Sequence, residues 1–307
     1  MAIQQELWVR DIAENIFPDS SALILSRDDS EFLEGKTIHL PQSGSKPNVE
    51  KNRTTLPAVA AKRTDTELTY PIDEFTTDPV ILQDTEAIEV SYNKRASVLF
   101  DHVETIREEI SDNIYYYWGA EAATNIIRTT GAARAAFKTG QTGNRKAVTK
   151  NDFIEAHRVM NRQDVPNAGR VALVDADLLS DILKIDEFVS ADRFGSAALP
   201  TGSVGMILGF AIFVRSKTTL YDNAATPVRK AVGAAIAAAD NATIQFWHPS
   251  YVRRVVGSDT NGGIKVYEKN QDPQFYGDVF SAMVRAGGRK HRTDEKGVVC
   301  LVEDAAA

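Results

Sequence analysis

This 307-residue sequence predicts an α+β fold, in which helices and strands are intermixed without regular βαβ alternation. Three observations carry that expectation. Residues 91–118 have the apolar period of a single helix face. Residues 35–78 frame a polar, turn-rich middle with two extended segments. The second half of the chain breaks into short apolar runs of strand length, separated by Gly, Pro, Asn and Asp.

The helical segment reads SYNKRASVLFDHVETIREEISDNIYYYW. Ala96, Leu99, Val103, Ile106, Ile110, Ile114 and Tyr117 recur at steps of three and four, with Asp101, Glu104, Arg107, Glu108 and Glu109 between them. Ser91 is placed to cap the first turn, and Gly119 stands just past the end. Such a helix is about 40 Å long at 1.5 Å per residue, far beyond the usual globular helix of about 11 or 12 residues. It predicts a molecule organised along a spine. A long core helix in an ordinary α+β enzyme would show the same period.

Upstream, residues 4–17 carry Leu7, Val9, Ile12 and Ile16 at helical spacing, ended by Pro18 and Asp19. SALILS (21–26) is a strand or a second short helix. TIHLP (37–41) and ELTYPIDEF (67–75) are extended, and QSGSKPNVEKNRTTLPAV (42–59) forms a polar tip between them. Leu68, Tyr70 and Ile72 alternate onto one face. A lone two-stranded ribbon is marginal in water, so that face needs cover from the body or from a neighbouring subunit. A disordered surface insertion is the bland alternative.

Downstream of the spine the chain turns small and basic. Arg128, Arg134, Lys138, Arg145, Lys146 and Lys150 fall between residues 122 and 151 with no acid among them. The segment KTGQTGNRKA (138–147) reads as a loop, solvated or facing an acidic neighbour. It lacks the GxxxxGK[ST] pattern of a phosphate-binding loop. A helix follows at 151–162. Next come the strand VALV with a short helix capped by Asp175, and strands around a turn at Gly209. Residues 244–247 form a strand, followed by a short helix from Pro249. Residues 264–270, 274–292 and 296–302 supply the last strands. In the second of these, Phe280, Met283 and Arg285 do not alternate cleanly, which leaves its register open.

Composition narrows the function. Apolar content of 43% and charged content of 25% are those of ordinary soluble proteins. A net charge of −7 argues against a surface that grips nucleic acid overall. Cys300, the single cysteine, sits in VVCLV as a small buried hydrophobe and has no partner for an internal disulfide. The N-terminus lacks a basic region followed by an apolar core, and no run approaches 18 apolar residues, so neither secretion nor a membrane span is expected. Five histidines stand in no metal-ligand spacing, and GxSxG and GxGxxG are absent. Asp175 and Asp177 read as a cap and a first-turn acid, and Trp247 and His248 as strand residues. No catalytic, cofactor or metal site is expected.

The order of elements resembles the major capsid proteins of tailed bacteriophages with the Hong Kong 97-type fold. Residues 1–34 resemble the N-arm, and 35–78, with ELTYPIDEF on the return, the extended E-loop. DTEAIEVSYNKRASVLFDHVETIREEI resembles the approach to the spine helix and the helix itself. VALVDADLLSDIL and SVGMILGFAIFVRSK, with Gly205, Gly209 and Phe210, resemble axial-domain elements. DPQFYGDVFSAMVRAGGRKHRTDEKGVVCLV resembles the closing strands. The resemblance implies a peripheral domain at 79–125 and 250–292, including the spine at 91–118, and an axial domain at 126–249 and 293–307.

It further implies a structural, non-enzymatic subunit that self-assembles into hexamers and pentamers of an icosahedral shell. That shell encloses double-stranded DNA without sequence-specific binding. A separate scaffolding protein, a portal and decoration proteins are the implied partners, with assembly in the host cytoplasm and residence in the virion. Neighbour contacts are expected at Leu68, Tyr70 and Ile72. Tyr92, Lys94 and Arg95 are expected at the base of the E-loop, and Arg134, Lys138, Arg145 and Lys146 in intersubunit salt bridges. Lys46, Lys51 and Lys62 occupy the E-loop region where some family members crosslink, without further support. The rivals are an encapsulin-type shell of the same fold and a cytosolic enzyme forming a small oligomer.

Overall fold

The computed structural model describes residues 18–32, 37–58, 60–83, 94–185, 189–190, 204–257 and 264–306. The helix expected at 4–17, the Ser91 cap and Tyr92 lie outside them. The spine is helix α1 (Lys94–Trp118), 25 residues and about 37 Å long.

Two sheets hold it. In the first, the 14-residue strand β16 (Gly277–Lys290) is central. Strands β4 (Asp73–Thr76) and β5 (Val80–Gln83) pair with it antiparallel, as do β14 (Val252–Val256) and β15 (Lys265–Asp272). Strand β1 (Arg27–Asp28) joins β14 in parallel. The returning limb of the expected ribbon therefore divides. Its last part, 73–76, leaves the ribbon and becomes a strand of this sheet.

The second sheet has seven strands. Its order is β10 (Val189–Ser190), β11 (Gly205–Ile207), β12 (Phe210–Arg215), β9 (Arg170–Asp175), β13 (Thr243–Trp247), β17 (Val298–Val302) and β6 (Ile126–Arg128). All side chains of β9, β13 and β17 are buried because both faces are covered. Alternate residues sort the faces. Val171, Leu173, Trp247 and Cys300 meet the end of α1, whereas Ala172, Val174, Phe246 and Leu301 meet α2 (Lys150–Arg162). Asp152 caps α2, its carboxylate accepting from the Thr149 N–H at 2.8 Å and the Thr149 hydroxyl at 3.0 Å. Asp175 caps the turn leading to α3 (Leu179–Ile182) as expected, accepting from the Asp177 N–H at 3.1 Å. Between β11 and β12, Leu208 and Gly209 both take positive φ, the geometry of a tight hairpin turn.

The expected helix face is correct at Ile106, Ile110 and Ile114, which are buried. It is incomplete at the C-terminal end, where Tyr115 and Trp118 are also 1% exposed. The end of α1 meets both sheets. Ile114 rests on β16 at Gly288, where a Cβ would stand 2.9 Å from Ile114 Cγ2. Tyr115 and Trp118 pack on Trp247, with ring centroids 6.1 and 5.4 Å apart. His102, on the spine helix, is buried with Nδ1 2.8 Å from the Thr77 hydroxyl, and burial lowers its pKa.

Two smaller units complete the fold. Strands β7 (Ala133–Ala135) and β8 (Asn144–Lys146) form a hairpin joined by β18 (Ala305–Ala306). Strands β2 (Thr37–Gln42) and β3 (Thr66–Pro71) form the ribbon, with Ile38 opposite Tyr70 and Leu40 opposite Leu68.

Candidate assembly surfaces

The ribbon's apolar face is already covered by its own chain. Ile38, Leu40, Leu68, Tyr70 and Ile72 cluster with Val255 of β14, and Tyr70 is 1% exposed. Beneath them Arg253 grips Asp29 with Nη1 2.6 and 2.8 Å from the two carboxylate oxygens, and the Tyr70 hydroxyl donates to the same carboxylate at 3.1 Å. Burial, then Asp29, raises the Tyr70 pKa far above the usual phenol range, which keeps the hydroxyl a donor. Arg289 reaches the Thr69 carbonyl at 2.6 Å. The expectation that Leu68, Tyr70 and Ile72 await a neighbour is therefore corrected. Their area is spent inside the subunit.

Beyond Gln42 and Thr66 the situation reverses. Residues 43–65 are mostly exposed, including Val49 and Leu56 at 89% and 79%. Lys46, Lys51 and Lys62 are exposed there too.

The basic segment is likewise corrected. Arg134 donates from Nε to Asp181 at 2.7 Å and from Nη2 to Glu303 at 2.8 Å, both acids being almost fully buried. Burial raises the Glu303 pKa even beside Arg134. Lys138 pairs with the buried Asp175, and Lys146 with Asp304 at 2.6 Å. Arg145 is buried and donates to the carbonyls of Thr142, Ala238 and Asp240. These cations have no acid nearby in sequence, but the chain returns its own acids to them at 175, 181, 303 and 304. Only the Lys146 pair is markedly exposed. At the spine's start, Lys94 opens α1, and Arg95 pairs with Glu268 of β15 at 2.5 Å and lies over the Phe280 ring. Arg95 thus ties the helix to β15, not to the ribbon.

What the sequence reading passed over is the rim of the first sheet. The first seven residues of β15 are exposed, with Val266 38% and Tyr267 50% accessible. Its connection to β16 carries Phe275 and Tyr276 at 41% and 79%. Two adjacent aromatics inside DPQFYGD were the available signal, because a Pro-Gly turn normally presents polar residues.

A family model described as phage capsid protein matches residues 88–302. Among solved structures, the chain is similar to one from Mycobacterium phage Che8, with 19% identity over 98% of each chain and a TM-score of 0.63. It is similar to the capsid of the cyanophage P-SCSP1u, with 15% identity over 99% of this chain and 93% of that one and a TM-score of 0.67. It also resembles the capsid of Ralstonia phage GP4, with 12% identity over 99% and 96% and a TM-score of 0.67. No curated protein matches. The fold is the Hong Kong 97-type capsid fold. The chain belongs to the phage capsid protein family, and it is a structural protein that assembles with itself into a phage shell.

Proposed function

We propose that this chain is the major subunit of an icosahedral shell around the double-stranded DNA of a tailed phage, arranged as hexamers and pentamers and assembled in the host cytoplasm. The family match spanning 88–302 carries the reading. No catalytic residue, cofactor or metal is assigned. Residues 1–34 act as the N-arm and 35–78 as the E-loop. Residues 79–125 with 250–292 form the peripheral domain, and 126–249 with 293–307 the axial domain. A scaffolding protein, a portal and decoration proteins are its partners, and the lumen holds DNA without sequence-specific contacts.

Contacts between copies fall where apolar surface remains uncovered. These are the ribbon beyond its base, at Val49 and Leu56, and the β15 rim, at Tyr267, Phe275 and Tyr276. Many modest contacts repeated by closed symmetry make a shell more stable than any one of them. Negative-stain microscopy of the protein, expressed alone and with a scaffolding protein, tests the assignment. Closed shells, tubes or capsomer rings are expected. A monomer or dimer under every condition overturns it, and DNA-free shells filled with a cargo enzyme would favour an encapsulin.

A further inference from the structure

The clamp under the ribbon leans on a histidine that can serve it in only one charge state. His291 follows directly on β16, and its Nδ1 lies 2.8 Å from Arg253 Nε. A guanidinium donates and never accepts, so Nδ1 must offer its lone pair, and the ring must be neutral for this bond to exist. The same Arg253 grips Asp29 through Nη1 at 2.6 and 2.8 Å. The Tyr70 hydroxyl of the ribbon donates to that carboxylate at 3.1 Å. Contacts thus run from His291 through Arg253 and Asp29 to β3, and Arg253 and Asp29 are only 7% and 2% exposed.

The charges around His291 are mostly of one sign. Arg253 acts on it from β14, Arg27 from β1, and Arg292 from the next position in the chain. Arg289, two residues earlier, reaches the ribbon at the Thr69 carbonyl. The nearby acids are already engaged: Asp29 by Arg253, Asp28 by Arg254 at 3.0 Å and Asp294 by Arg292 at 2.9 Å. Lys290 is held by Glu295 and Glu121. The His291 N–H donates to the Tyr251 carbonyl at 2.8 Å, which fixes the backbone and leaves the ring as the moving part. A proton added to the ring therefore gains no carboxylate of its own. It sets a cation against Arg253 or turns the ring outward. Either way Arg253 Nε loses its acceptor in a buried site, which is costly until water reaches it.

We propose that His291 is a pH-sensitive latch for the ribbon: neutral, it holds Arg253 in the clamp, and protonated, it frees Arg253 and lets β2 and β3 lift from β14. The device acts within one subunit, so it and the shell assignment can fail separately. Its sign follows from linkage. The ring takes up a proton more readily once the clamp is open, so acid favours the open form below about pH 6.5, by at most about tenfold per pH unit.

Hydrogen–deuterium exchange of unassembled subunits at pH 8 and pH 5.5, corrected for the intrinsic rate at each pH, reads the latch. The ribbon amides of residues 37–42 and 66–70 are compared with spine residues 106–118. In the parent, ribbon protection should fall severalfold, and at most about tenfold, at the lower pH while spine protection holds. His291→Asn sets a neutral carbonyl oxygen near the Nδ1 position and should keep ribbon protection the same at both values. His291→Lys supplies a permanent cation and should lower it at both, with spine protection reporting that the subunit is folded. If His291→Lys does not fold, the His291→Asn comparison decides by itself. Ribbon protection independent of pH in the parent, an equal fall in His291→Asn, or a fall shared by the spine overturns the proposal.

Discussion

The base of the ribbon and the β15 rim are built alike and end differently. Each is a β-strand pair reaching out from the body and carrying large apolar side chains. At the base, Tyr70 and its neighbours close over Val255 and a buried ion pair, whereas at the rim Tyr267 and Tyr276 face outward. The difference lies in what sits beneath. β14 stands under the ribbon, and among the described residues only β16 pairs with β15. Alternation shows that a strand has an apolar face, but not whether the same chain or another copy covers it.

The sharpest way to break this comparison is Arg253→Met. It strands the Asp29 carboxylate in a buried site, and loss of one partner from a buried pair costs about 3–5 kcal/mol. Urea denaturation of unassembled subunits should show that loss. An unchanged midpoint would mean the base is open in solution and the ribbon is free to meet a neighbour after all.

Gly288→Val is expected to cost about 1–3 kcal/mol, since its Cβ would collide with Ile114 and the helix must lift. The measurement is the same, and stability equal to the parent would refute the close seating of α1 on β16.

Acidity gives a subtler probe. Burial, followed by the Arg253 charge, lowers the pKa of His291, whose Nδ1 accepts from Arg253 Nε at 2.8 Å. Burial lowers those of His102, His157 and His248 as well. Above the unfolded histidine value of about 6.5 these rings are neutral in both states. As pH falls below it, the unfolded chain takes up protons first, so stability declines down to the folded pKa values. Denaturation midpoints at pH 8 and pH 5 should show this decline, and His291→Gln should flatten part of it. A midpoint that rises on acidification would contradict the burial of these rings.

The smallest effect on stability belongs to the rim. Tyr276→Asp should change subunit stability by no more than about 0.5 kcal/mol, as exposed substitutions generally do, while reducing particle yield in sedimentation. Normal yields would remove Tyr276 from the contacts between copies.

Most secondary structure was legible because period and punctuation are local. The Ile106, Ile110, Ile114 stripe, the Asp175 cap and the Leu208-Gly209 turn each declare themselves within a few residues. The register of β16 was not legible. Its inward face runs Phe280, Ala282, Val284, Ala286, and small residues disguise the alternation where α1 approaches. The partners of Arg134 and Lys138 were equally hidden, since Glu303 and Asp175 lie 169 and 37 residues away. Long-range pairing of charges leaves no periodic trace. The contact of His291 with Arg253 was invisible for the same reason, joining separate stretches that meet only in three dimensions.

The locked ribbon base has a geometric consequence for a curved lattice. On the proposed arrangement in rings of five and six, subunits would meet their neighbours at different angles, and something in each would have to bend to accommodate both. With Asp29, Tyr70 and Arg253 clamped, the heading of the ribbon is set like a fixed oar-lock. On that proposed arrangement the bending would fall to the exposed described residues between Gln42 and Thr66, and the same subunit body could serve every position.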